Sequence, residues 1–70
     1  MANRMIFTIG DRVEASEAAY AAGIFPNALL PVHGTVTGFG RLKFPLVRVD
    51  GTNYSERYNP IFWARIEEGA

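Results

Sequence analysis

Residues 34–51 read GTVTGFGRLKFPLVRVDG, and in that stretch two short alternating runs face each other across a loop. In GTVTGF (residues 34–39) Thr35 and Thr37 fall on one face and Val36 and Gly38 on the other, the period of a half-buried strand. LVRVD (residues 46–50) repeats the pattern, with Val47 and Val49 inward and Arg48 outward. Between them GRLKFP (residues 40–45) carries loop signals. Asp50 and Gly51 give the strongest hairpin signal in the chain, because a two-residue type I′ turn requires positive φ at both positions. The returning strand then covers residues 53–58, Asn59 and Pro60 break it with a single turn, and FWARI (residues 62–66) forms a last short strand.

Towards the N-terminus, Gly10 and Asp11 signal a turn and RVEA (residues 12–15) alternates with Val13 and Ala15 inward. Ser16 offers an N-cap oxygen to an alanine-rich helix over residues 17–22, and Gly23 suits a left-handed C-cap. IFPNALLPVH (residues 24–33) holds Pro26 and Pro31 and reads as an ordered loop with apolar anchors. Residues 1–8 form a partly ordered arm, with order setting in near Ile9, and residues 67–70 a polar tail. The expected core is Val13, Val36, Val47, Val49 and Ile66, with Ala15 and Phe62 beside them. Short strands punctuated by glycine turns, with one short helix inserted after the first strand, predict a mainly β fold. Closure into a small five-stranded barrel would remove the long pairing edges of an open sheet.

The composition narrows the function. Seventy residues make one small domain, and with no cysteine neither disulfides nor thiolate-bound zinc can staple it. Stability has to come from the 49% of residues that are hydrophobic, aided by self-association. Seven basic and seven acidic side chains balance to a formal charge of zero, which disfavours non-specific coating of nucleic acid. No run approaches the roughly 20 apolar residues of a membrane helix, and residues 5–9 are too short for a signal-peptide core, so a cytoplasmic protein is expected.

Beyond these patterns, GDRV (residues 10–13), AAGI (21–24), GTVTGFGR (34–41), VRVDG (47–51) and YNPIFW (58–63) follow one another in an order that resembles a family of small uncharacterised proteins from phages and bacterial genomes. The resemblance spans residues 9–66 and implies a Src-homology-3-like (SH3-like) barrel, a phage-type accessory role and, if phage-encoded, the host cytoplasm. Two further groups are similar in fewer residues. Plasmid-borne type II dihydrofolate reductases share the opening GDRV and a proline near the last strand, and they build one active pore from four barrels. Where that family carries Gln-Ile-Tyr before the proline, this chain has Arg57, Tyr58 and Asn59 before Pro60, which argues against folate reduction. The small barrel proteins of photosystem I are similar over KFPLVRVDGTNYSERY (residues 43–58), as shared barrel architecture.

Two constellations stand out as binding residues. Phe39, Arg41, Lys43, Phe44 and Arg48 set two aromatics among three cations, the mixture that single-stranded nucleic acid requires for stacking and for phosphates. Tyr54 and Tyr58, evenly spaced on one strand, would share a face with Trp63 in a groove of the kind that takes extended peptides, unless the rings simply fill the core. Catalytic chemistry has little footing. Ser16 and Asp50 read as a cap and a turn residue, Ser55 stands in no nucleophile motif, and His33 is the sole histidine. The expectation is therefore a non-enzymatic binding module with no cofactor and no metal, engaging a protein partner or its own copies as a homo-oligomer. Nucleic-acid binding through residues 39–48 is the alternative, and no membrane association is expected.

Overall fold

The structure, a computed structural model, describes residues 7–25 and 31–66; the expected tail, most of the N-terminal arm and the middle of the proline loop lie outside them. The chain runs β1 (Arg12–Ala15), α1 (Glu17–Ala21), β2 (His33–Phe39), a 3-10 turn (Arg41–Lys43), β3 (Pro45–Val49), β4 (Glu56–Arg57), a second 3-10 turn (Pro60–Phe62) and β5 (Trp63–Arg65). All pairings are antiparallel and the sheet order is β4-β3-β2-β1-β5. The protein is thus mainly β, a five-stranded antiparallel sheet with one short helix. Among the described residues no ladder joins β4 to β5, so hydrogen bonds do not close the sheet into the expected barrel. The described chain is nonetheless compact. The Cα radius of gyration is 11.5 Å, against about 11 Å for a compact chain of this length.

Alternation puts Val13 and Ala15 of β1, Val36 of β2, Val47 of β3 and Trp63 of β5 on one buried face, with Ala19 of α1 and Phe7 packed among them. Val36 stands opposite Val47, and Gly34 lies beside that row because a Cβ there would come within 2.7 Å of the Val47 Cγ1 and 2.9 Å of the Arg48 carbonyl oxygen. Val49 and Phe62 pack on the edge of this core, and Ile66 is only half-buried. Order begins before Ile9. Phe7 is buried, the Asp11 carboxylate accepts a hydrogen bond from the Thr8 amide, and the Asp11 amide donates to the Thr8 carbonyl.

Local chemistry differs from expectation at three places. Ser16 has extended N-cap geometry, but its hydroxyl donates to the Ile61 carbonyl at 2.6 Å instead of capping α1, so it ties the helix to the second 3-10 turn. At residues 49–52 the Thr52 amide donates to the Val49 carbonyl and only Gly51 has positive φ (95°), which is the pattern of a type II turn and not type I′. Asp50 is kept in line with β3, since its amide donates to the His33 carbonyl and its carboxylate takes both terminal nitrogens of Arg12 at 2.9 and 2.7 Å. A turn of this type splays its flanking strands. The returning strand is accordingly short, pairing only Arg57 with Leu46 and Glu56 with Val47, where the sequence suggested residues 53–58.

Candidate functional site

The type I′ geometry expected at Asp50 occurs in the β2–β3 hairpin. The Phe44 amide donates to the Arg41 carbonyl at 3.1 Å across Leu42 and Lys43, both at φ 60°. Neither is glycine, and holding an L-residue left-handed costs about 1–2 kcal/mol each. The Gly40 amide donates to the Phe44 carbonyl at 2.8 Å and closes the loop. Strain of this kind has no packing return here, since Leu42 is 79% exposed at the apex. A local conformation sustained against its own preference marks a segment worth reading for function.

Of the hairpin residues singled out from sequence, Arg41 and Lys43 flank that apex in solvent, Phe39 is 43% exposed opposite Pro45, Phe44 is half-buried, and Arg48 points outward opposite Thr35. Sequence reasoning left Arg57 outside the site. The β3–β4 register sets it opposite Leu46 and lays its side chain over Gly40, whose missing Cβ would stand 3.1 Å from the Arg57 Cδ. Only the register, which the splayed turn determines, could have revealed this.

The charges are segregated. Arg12 is bound to Asp50, Arg65 reaches Asp11 at 3.4 Å, and His33 lies 3.9 Å from Glu14 across the β1–β2 pair. The Arg12 guanidinium hydrogen-bonded to Asp50 holds that carboxyl below its ordinary value. Arg41, Lys43, Arg48 and Arg57 have no ion-pair partner among the described residues, and all four belong to the β2–β3 hairpin and the neighbouring β4. A formally neutral chain therefore carries a locally cationic end, with exposed Phe39 and Leu42 interleaved.

The second constellation does not assemble as expected. Trp63 is 1% exposed and belongs to the core. Tyr54 precedes β4 instead of lying on a strand with Tyr58, is 56% exposed, and makes no ring contact among the described residues. The rings that do meet are Tyr58 and Trp63 at 5.3 Å, Phe25 with Trp63 at 5.7 Å and with Tyr58 at 6.2 Å, and Tyr20 with Phe25 at 6.5 Å. Burial, with Glu56 adding to it, raises the Tyr58 phenol to about 12. From sequence, Phe25 is no more than one apolar anchor of the proline loop, and Tyr20 sits in the helix with its hydroxyl accepting from the Val32 amide. The indole Nε1 of Trp63 is buried without a hydrogen-bond partner among the described residues.

The serines carry no triad geometry. Ser16 donates to Ile61, and Ser55 shares a hydrogen bond with Thr37 at 2.7 Å. Among the described residues no three His, Asp or Glu side chains gather as metal ligands, and no helix is long and apolar enough to cross a membrane. No protein-family model, curated protein or solved structure matches this chain.

Proposed function

We propose that this is a non-enzymatic binding module that engages an anionic macromolecular partner through the apex and outer face of its β2–β3 hairpin. The observation that carries the reading is the segregation of cations among the described residues: Arg12 and Arg65 are paired with carboxylates, whereas Arg41, Lys43, Arg48 and Arg57 have no ion-pair partner there and surround exposed Phe39 and Leu42. A cluster of cations set around exposed apolar side chains at a strained, protruding loop favours recognition.

The scaffold we propose is an SH3-like barrel of the phage-type accessory kind, acting in the cytoplasm. Supporting it are the position of β1 between β2 and β5, which brings first and last strands together, and the single 3-10 turn leading into β5, both features of that architecture. A second reading, capture of an extended peptide at Tyr54, Tyr58 and Trp63, has less support, because Trp63 is buried and Tyr54 makes no ring contact among the described residues. The folate-reductase reading has least support, because Arg57 lies across Gly40 and Tyr58 packs on Trp63 where that family's catalytic stretch would fall.

The test is retention on immobilised heparin, a generic polyanion. The wild-type protein should be held and released by salt, and Arg41→Glu with Lys43→Glu should flow through with an unchanged melting temperature. No retention of the wild type, or equal retention of the double variant, would remove the hairpin from consideration.

A further inference from the structure

We propose that the Asp50–Gly51 bond is a latent site of spontaneous aspartate isomerisation, and that the Arg12 guanidinium keeps it closed. The proposal concerns the turn at residues 49–52 and does not depend on what the hairpin binds. An aspartate rearranges when the amide nitrogen of the following residue attacks the side-chain Cγ, so the step depends on how freely that nitrogen can approach. The chain has two aspartates, and they differ in this respect. Asp11 precedes Arg12, whose own side chain crowds the nitrogen and whose backbone is held in β1. Asp50 precedes Gly51, which is exposed and has φ 95°, and no atom beyond its chain neighbours lies within 4 Å of where a Cβ would stand. The Gly51 amide donates no backbone hydrogen bond among the described residues. Asp50 is exposed as well, so both reacting groups stand in solvent.

In the rearrangement the Gly51 nitrogen forms a bond to the Asp50 Cγ and a Cγ–O bond breaks. The oxygen leaves as water, carrying the amide proton and the carboxyl proton, and a five-membered imide remains. Water then adds to one of the two imide carbonyls. Opening at Cγ restores aspartate, whereas opening at the main-chain carbonyl carbon leaves the chain running through Cγ as isoaspartate. The water lost equals the water regained, so nothing but solvent is required. The structure opposes the first step in three ways. Arg12 takes both carboxylate oxygens at 2.9 and 2.7 Å, which ties them to a side chain of β1. The same hydrogen bonds, aided by the charges of Arg12, His33 and Arg48, hold the carboxyl below its ordinary value, whereas the oxygen departs from the protonated acid. The Asp50 amide is fixed to the His33 carbonyl and the Thr52 amide to the Val49 carbonyl, which opposes the backbone rotation that ring closure requires. The Arg12 clasp is the restraint that a substitution can remove while leaving the turn's backbone bonds in place. An exposed ion pair adds little to stability, yet this one occupies the carboxylate that would otherwise react.

The test incubates the wild-type, Arg12→Gln and Thr35→Val proteins at neutral pH, with circular dichroism to show that each is folded. The tryptic peptide covering residues 49–57 is then resolved into aspartyl and isoaspartyl forms by chromatography and electron-transfer fragmentation. Isomerisation leaves the mass unchanged, which separates it from deamidation of Asn53 in the same peptide. The wild-type protein should isomerise far more slowly folded than in urea. Arg12→Gln should raise the folded rate about two- to fivefold, the range over which an exposed ion pair shifts a local opening. Thr35→Val removes another hydrogen bond of Arg12, at 2.8 Å, and leaves the clasp, so it should isomerise as the wild type does. Should Arg12→Gln fail to fold, Arg12→Lys takes its place, keeping the charge and losing the two-pronged contact, with a smaller rise expected. The assignment is overturned by a wild-type protein that isomerises as fast folded as unfolded, by a folded Arg12 variant with the wild-type rate, or by a Thr35→Val rate that matches the Arg12 variant's.

Discussion

The two turns that flank β3 are built on opposite principles. At residues 49–52 the one positive φ falls on glycine, the acidic side chain is clasped by Arg12, and the Thr52 hydroxyl donates back to the Val49 carbonyl at 2.7 Å. At residues 41–44 two left-handed positions are filled by leucine and lysine, the apex leucine touches solvent, and the cations have no partner among the described residues. One turn satisfies every local preference and the other violates several within four residues. Strain and unpaired charge share one loop, while the neighbouring loop shows neither among the described residues.

The contrast can be broken at the strand the turns share. Val47→Ala empties a fully buried site opposite Val36 and should cost about 1–3 kcal/mol in urea unfolding; a silent substitution would mean that the register linking both turns is wrong. Gly51→Val comes next, at about 1–2 kcal/mol. Nothing lies within 4 Å of a Cβ at Gly51, so the whole effect should be backbone strain. Leu42→Gly should act with the opposite sign, raising stability by about 0.5–1 kcal/mol as the left-handed penalty is relieved, less the added freedom of the unfolded chain. Thermal unfolding of the two glycine-site variants side by side decides the matter, and shifts in the same direction would refute the contrast.

The smallest expected effect sharpens the electrostatic half. The Asp50 pKa is lowered by its hydrogen bonds to Arg12, so its stabilisation is present above the unfolded value of 3.8 and is lost as pH falls through the folded one. Both side chains are substantially exposed, which limits the contribution to a few tenths of a kcal/mol. Asp50→Asn should flatten stability against pH in that acidic window and leave it unchanged near neutrality beyond the constant loss of the pair. Arg41→Ala and Lys43→Ala, having no carboxylate partner among the described residues, should leave the pH profile in that window as it is.

Alternation makes the sheet legible. Period two alone places Val13, Val36 and Val47 inward, and the bracketing glycines and prolines locate the loops. Conclusions that depend on distant partners are not available from sequence. The hydroxyl of Ser16 has a better acceptor in Ile61, forty-five residues away, than in its own helix. Asp50 and Gly51 look like a type I′ pair until Arg12 and His33 hold Asp50 in line with β3. That exchange of one turn for another moves Tyr54 off the strand and brings Arg57 over Gly40, so a local difference spreads into both candidate sites. Trp63 is ambiguous for another reason: an aromatic next to Phe62 and Ala64 gives no parity signal until its neighbours on β1 are known.

The chain contains a single tryptophan, buried against Phe25 and Tyr58 in an edge-on ring cluster, its N–H without a hydrogen-bond partner among the described residues. An indole so shielded emits at the blue end of its range, and that emission shifts to the red once water reaches it. The fold thus carries its own optical gauge of core integrity, needing no dye or tag. Because the hairpin apex lies on a different part of the sheet, substitutions there can be screened for lost recognition in the same cuvette that shows the core to be undisturbed.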